Sequence, residues 1–194
     1  MKYRNELIQI IKKDEQIMET LFIVKNLNLN DCWVGAGFIR NKVWDVLHEI
    51  KKTKINDIDV VFFNESIISE NLEKEIEQKL TDINPKVKWS VKNQARMHLR
   101  NNHLKYSNVE NAISYWPETA TAIAVRLDSE NKIEILAPHG LEDLFNLIVR
   151  PTPNFSPIIF QERIDAKLWK KQWKNLNINK TPNRFYPEAS ELLG

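Results

Sequence analysis

Cys32-Trp33-Val34-Gly35-Ala36-Gly37-Phe38-Ile39-Arg40-Asn41, followed by Asn56-Asp57-Ile58-Asp59-Val60-Val61-Phe62-Phe63, is the paired stretch whose reading decides the fold. In the second half every residue from 57 to 63 is β-branched or aromatic, apart from the carboxylates at 57 and 59. A strand turns successive side chains to opposite faces, so Asp57 and Asp59 share one face while Ile58 and Val60 point to the other, into a core. The two acids then lie roughly 6.5–7 Å apart along the strand, a gap that side-chain flexion closes onto one cation or two adjacent ones. Like charges on one face repel unless something positive lies between them. Mg²⁺ suits the position, with Mn²⁺ as its substitute. It prefers oxygen ligands at roughly 2.0–2.1 Å and takes one or two carboxylates plus substrate phosphates. The plainer alternative is a strand start with both acids facing water, and Asp-x-Asp by itself does not separate the two.

The first half adds a second signal. Trp33 and Val34 read as a short strand broken by Gly35-Ala36-Gly37. An amphipathic helix follows, with Phe38, Val43, Trp44, Leu47 and Ile50 at helical spacing. A glycine turn opening a helix leaves backbone N–H groups free to hold an anion. Arg40 and Lys42 fall in the first turn, where cations oppose the helix dipole. That placement fits a resident anion for Arg40; for Lys42 surface solubility is an equal reading. Asp45 lies on the same helix, and His48 reads as solvated surface.

Composition narrows the class. At 194 residues, 42% of them hydrophobic, the chain fits a single domain with a sizeable core. Formal net charge is only +2, so no overall field argues for nucleic acid, although a basic patch can be local. The single cysteine, Cys32, excludes an intramolecular disulfide and reads as a small buried hydrophobe. No apolar run approaches the roughly 20 residues of a membrane span, and the N-terminus lacks a signal-peptide core. A cytoplasmic protein is expected.

Along the rest of the chain, residues 4–27 read as helical, with Asp14 capping a second helix. This is a helical N-terminal addition over 1–30. A helix starting near Ser69 carries a Glu/Lys face that reads as solvated. Residues 86–93 alternate as a strand, and 94–100 follow directly as a short helix. Lys92, Asn93, Gln94, Arg96 and His98 cluster at that strand end, where α/β sites tend to lie. They read either as contacts to a nucleotide or acceptor or as a hydrogen-bonded structural network. Trp116 is a core anchor or a base-stacking face, with the Thr119 and Thr121 hydroxyls beside it. A hairpin with a polar turn at 128–131 follows. Residues 157–176 read as one C-terminal helix with aromatics on one side and lysines on the other, and 177–194 as a polar, poorly ordered tail.

Together these stretches resemble the DNA polymerase beta-like nucleotidyltransferase superfamily, whose signature is a Gly-Gly or Gly-Ser turn at a helix start followed by an Asp-x-Asp or Asp-x-Glu strand. The nearer resemblance is to a family of small bacterial nucleotidyltransferase-like proteins. It is carried by residues 35–41 with Val43-Trp44-Asp45, by 57–63, by Trp89 with 91–98, by 116–121, and by Leu141, Asp143-Leu144-Phe145 and 149–153. The resemblance implies an α+β (mixed α/β) fold, with a mixed sheet flanked by helices and helical additions at both ends. It implies a Mg²⁺-dependent transfer of a nucleoside monophosphate from an NTP to an acceptor hydroxyl. Asp57 and Asp59 would be the catalytic and metal-binding pair. Gly35, Ala36, Gly37 and Arg40 would hold the triphosphate, with Lys92, Asn93, Arg96 and His98 as further nucleotide contacts. Two positions depart from the pattern. Ala36 stands where many relatives have Gly or Ser, and Ser90 stands where a third carboxylate is often found. Glu65, Glu118 and Glu134 are the other candidates for that acid. The departures leave room for a catalytically silent nucleotide-binding module on the same fold. A nucleic-acid-binding protein is the less favoured third reading.

Overall fold

The computed structural model describes residues 1–181. Two helices open the chain, α1 (Arg4–Lys12) and α2 (Glu15–Lys25). The break falls at Asp14, whose carboxylate accepts the Ile17 amide as the N-cap of α2. Three strand–helix pairs follow: β1 (Trp33–Gly35) with α3 (Gly37–Leu47), β2 (Ile58–Phe62) with α4 (Glu70–Ile83), and β3 (Trp89–Asn93) with α5 (Gln94–Asn101). Next come α6 (Val109–Ile113), the hairpin β4 (Ala124–Leu127) and β5 (Ile133–Leu136), α7 (Glu142–Phe145) and β6 (Ile148–Val149). The described chain ends with α8 (Pro157–Lys167), α9 (Trp169–Gln172) and β7 (Asn177–Ile178).

The main sheet has the order β3-β2-β1-β4-β5 and is mixed. Only β2 and β3 run parallel; the β1–β2, β1–β4 and β4–β5 ladders are antiparallel. β6 and β7 make a separate parallel pair. The fold is thus the expected α+β arrangement of a mixed sheet flanked by helices. Strand alternation divides the core in two. Val34, Ile58, Val60, Phe62 and Val125 face a layer that includes Leu7, Leu21, Val43, Trp44, Ile76 and Leu80 of α1 to α4. Trp33, Val61, Phe63 and Ala124 face the opposite way, against Ala95 of α5 and Val109 and Ile113 of α6. Asp59 shares this second face, one alternation step before Val61.

Three expectations need correction. The segment 157–176 is not one helix: Leu168 adopts φ 51°, a left-handed conformation that ends α8 and turns the chain into the short α9. The reason is packing, because Trp169 and Trp173 turn inward to meet Trp44 edge-on at 5.5 and 5.1 Å. The tail begins in order, with Asn177 and Ile178 paired to β6; residues 182–194 lie outside the described residues. The acidic face of α4 is not simply solvated, since Glu73 is only 2% exposed.

Candidate active site

The β1–α3 corner is built on close approach. Gly35 pairs with Asp59 of β2 on one side and with Ala124 of β4 on the other. A Cβ at Gly35 would come within 2.7 Å of the Ile123 carbonyl oxygen and 3.2 Å of the Trp116 ring, so only glycine fits. Trp116 therefore serves as packing beneath the corner. Ala36 takes φ 53°, ψ −132°, backbone that favours glycine. Its amide donates to the Ile123 carbonyl at 3.0 Å, and its own carbonyl accepts the Arg40 amide. No side chain caps α3. Its first-turn amides, those of Gly37, Phe38 and Ile39, are left for an outside acceptor.

A cleft of about 480 Å³ opens at this corner. Ala36, Gly37, Arg40, Asp57 and Asp59 all line it, so the structure brings the glycine turn, the arginine and both acids together. Burial pushes the Asp59 carboxyl above its ordinary range, and the neighbouring Asp57 charge adds to this. A hydrogen bond from Ser90 and the more distant Arg40 and Lys167 act in the other direction. Ser90 is Asp59's register partner on β3. The place beside the pair is therefore filled by a hydroxyl. None of the three alternative acids lines the cleft. Glu65 pairs with Lys105, Glu134 with Arg126, and the fully buried Glu118 with Arg163.

Arg40 is the unusual group. It is 5% exposed and contacts no carboxylate. Its guanidinium donates to Thr121 Oγ1 at 2.6 Å and Asn41 Oδ1 at 2.8 Å, while Nε has no hydrogen-bond partner. Trp44 and Trp169 stack against it, 4.8 and 4.4 Å from the guanidinium carbon. Burial lowers its pKa to about 10, so it remains a cation at neutral pH. Lys42, by contrast, is engaged by Asp14 at 2.8 Å.

The sequence reading missed the far wall. Trp169, Gln172 and Trp173 line the cleft, together with Arg163 and Lys167. Asp45 anchors this wall, accepting Trp173 Nε1 at 2.9 Å and the Thr53 amide at 2.8 Å. Gln172 donates to the Thr53 hydroxyl. His48 is not merely solvated surface: its ring meets the Trp44 carbonyl and accepts the Asn175 amide at 3.1 Å. The repeated aromatics at 169 and 173 were the available signal.

Lys92, Asn93, Arg96 and His98 do not line this cleft. Asn93 pairs with Phe62 at the other end of β2, three residues or roughly 10 Å from the Asp59–Ser90 pair. Most of their polar groups are taken up internally, although His98 Nδ1 is buried without a hydrogen-bond partner. Arg96 grips Glu73 through Nε and Nη2 at 2.6 and 2.7 Å and reaches Glu70 at 3.0 Å. Lys92 lies 3.5 Å from Glu73. Asn93 caps α5 and ties down Asn64 and Ile67. His98 packs edge-on to Tyr106. The acids of α4 thus turn the cluster into a structural network.

Known proteins share this fold. A family model described as Nucleotidyltransferase matches residues 22–178. The chain belongs to this family. The nucleotidyltransferase is also similar to a protein whose NMR structure reveals a CCA-adding enzyme head domain. Identity is 34% and the TM-score 0.81, over 93% of this chain and 98% of that one. Its fold is that of the DNA polymerase beta-like nucleotidyltransferases. Fold similarity extends to a CCA-adding enzyme in complex with CTP (13% identity, TM-score 0.54, 90% of this chain and 43% of that). It extends as well to a Thermotoga maritima CCA-adding enzyme complexed with tRNA (16%, 0.56, 89% and 42%). The chain spans less than half the length of these two enzymes. No curated protein matches it in sequence. Among the described residues, no helix is long and apolar enough to cross a membrane.

Proposed function

We propose that this nucleotidyltransferase moves a nucleoside monophosphate from a metal-bound NTP to an acceptor hydroxyl in the α3 cleft. The observation that carries the reading is Arg40, a buried guanidinium with an unpartnered Nε and no carboxylate contact, beside an uncapped helix start. A buried unpaired charge is costly, and an anion in the cleft relieves that cost. The α3 amides and Arg40 hold the triphosphate. In the transfer, the acceptor oxygen bonds to the α-phosphorus as the bond to pyrophosphate breaks.

The residues fit a hard divalent cation. Asp57 and Asp59 offer oxygen donors only, and they raise each other's energy until something positive lies between them. Among the described residues no three His, Cys, Asp or Glu side chains cluster as a metal cage. Mg²⁺ needs few carboxylates and completes its shell with phosphates and water, so two acids suffice for it. Bound there, it supplies charge neutralisation at the reacting phosphate.

Purified protein is expected to label an acceptor fraction with α-phosphate from an NTP and Mg²⁺. Asp57→Ala and Asp59→Ala should each abolish labelling, and robust labelling by the double variant would overturn the mechanism. Ser90 beside Asp59 favours one second reading, a silent module that binds NTP. It predicts nucleotide binding without transfer to any acceptor.

A further inference from the structure

The cations of the cleft are not equivalent. Lys42 and Lys52 face Asp14 at 2.8 and 3.9 Å, and Arg163 is paired with the buried Glu118. Arg40 is buried and held by Thr121 and Asn41. Two cations of the lining remain: Lys54, on the connector before β2, and Lys167, the last residue of α8, which lines the same cleft as Asp57 and Asp59. Among the described residues Lys167 makes no ion pair and no hydrogen bond.

Its backbone is nevertheless fixed. Seven residues earlier, about two turns, α8 is anchored by Phe160, which is fully buried. Immediately after it, Leu168 turns the chain and Trp169 is buried on Arg40 and Trp44. Trp173 then locks the segment through Asp45. Lys167 is therefore a free ammonium on a rigid base, aimed at a site that carries two carboxylates. Lys170, Lys171 and Lys174 lie on the same segment but do not line the cleft. The plainer role for Lys167 is to complement the dipole at the C-terminus of α8. That role affects stability and leaves ligand binding untouched.

We infer that Lys167 is a direct ligand for the terminal phosphates of the bound polyphosphate, and that the C-terminal segment α8–α9 is thereby part of the substrate site rather than a peripheral addition. The inference rests on the proposed nucleotide site. It extends that site to residues outside the glycine turn and the acid strand. Lys167 supplies a charge-assisted hydrogen bond to a phosphate oxygen, and it stabilises the pyrophosphate as it leaves.

The test is calorimetric titration of the full chain with inorganic tripolyphosphate and Mg²⁺. Wild type, Lys167→Ala, Lys167→Arg and Lys171→Ala are compared, with thermal melts verifying the fold. The expected result is about tenfold weaker binding for Lys167→Ala, matching the loss of one charge-assisted contact. Lys167→Arg and Lys171→Ala should stay near wild type. Equal binding by Lys167→Ala and wild type would overturn this inference alone. Equal weakening by Lys171→Ala would also overturn it, since the effect would then be general charge. Failure of the wild type to bind either tripolyphosphate or NTP would sink the underlying site as well.

Discussion

Gly35 and Asp59 face each other as register partners in the antiparallel β1–β2 ladder. The glycine corner and Asp59 are thereby held about one strand spacing apart, roughly 5 Å. The helix that starts two residues after Gly35 carries Arg40 into the same cleft. A single ladder thus couples the glycine corner to the acid pair, which in the proposed reading hold the polyphosphate and the metal.

Ala36 tests the strain at that corner. Its φ of 53° with ψ −132° is backbone that an L side chain resists, at a cost on the order of 1 kcal/mol or more. Ala36→Gly should therefore raise the melting temperature by about 2–4 °C, while a β-branched Ala36→Val should lower it. Thermal melts followed by circular dichroism check both signs.

Asp59→Asn should separate function from stability. The folded-state pKa of Asp59 is raised, so its ionised form opposes folding. That penalty is absent below the unfolded value of 3.8 and develops as pH rises through the folded value. At neutral pH the Asn variant should melt higher than wild type, by about 2–4 °C, yet lose transfer activity. Equal melting of the two proteins from pH 4 to 7 would count against the burial and charge repulsion described here.

Glu73 makes the opposite prediction. Burial alone would raise its pKa, but the Arg96 bonds, the Asn93 amide and Lys92 outweigh burial and hold it below the ordinary range. Its stabilisation is therefore complete above the unfolded value of 4.5 and fades as pH falls through the lower folded value. Glu73→Ala leaves Arg96 with only the exposed Glu70 and strips the Asn93 amide of its acceptor, and should cost about 2 kcal/mol. At a temperature where the variant stays folded, its NTP affinity should match wild type. Chemical denaturation and nucleotide titration read the two effects separately.

What could be read from the sequence follows from how local each signal is. Asp-x-Asp at a strand, a glycine turn before a helix and the Asp14 cap depend on neighbours within a few positions, and all three appear, with Asp57 one residue ahead of β2. The two readings of the Lys92–His98 cluster stayed open because the partners of Lys92 and Arg96, Glu70, Glu73 and Glu77, lie 15 to 26 residues away on α4. Nothing local distinguishes an arginine awaiting phosphate from one already held by glutamate. The far wall of the cleft was hidden for the same reason. Periodicity over 157–176 suggests one amphipathic helix. Only the Trp44–Trp169–Trp173 contacts, across more than a hundred residues, show why the chain turns at Leu168. Arg40 was legible as a cation out of place on its helix dipole, but not as a guanidinium stacked against Trp169.

The central claim is that the cleft grips a polyphosphate through a cation held by Asp57 and Asp59. Calorimetric titration with a nonhydrolysable NTP, with and without Mg²⁺, tests it most directly when wild type is compared with Asp57→Asn/Asp59→Asn. The account predicts one site per chain, markedly tighter with Mg²⁺ in the wild type, and no Mg²⁺ effect in the double variant. Binding of equal strength in both proteins, or a Mg²⁺ effect that survives loss of both acids, would contradict it.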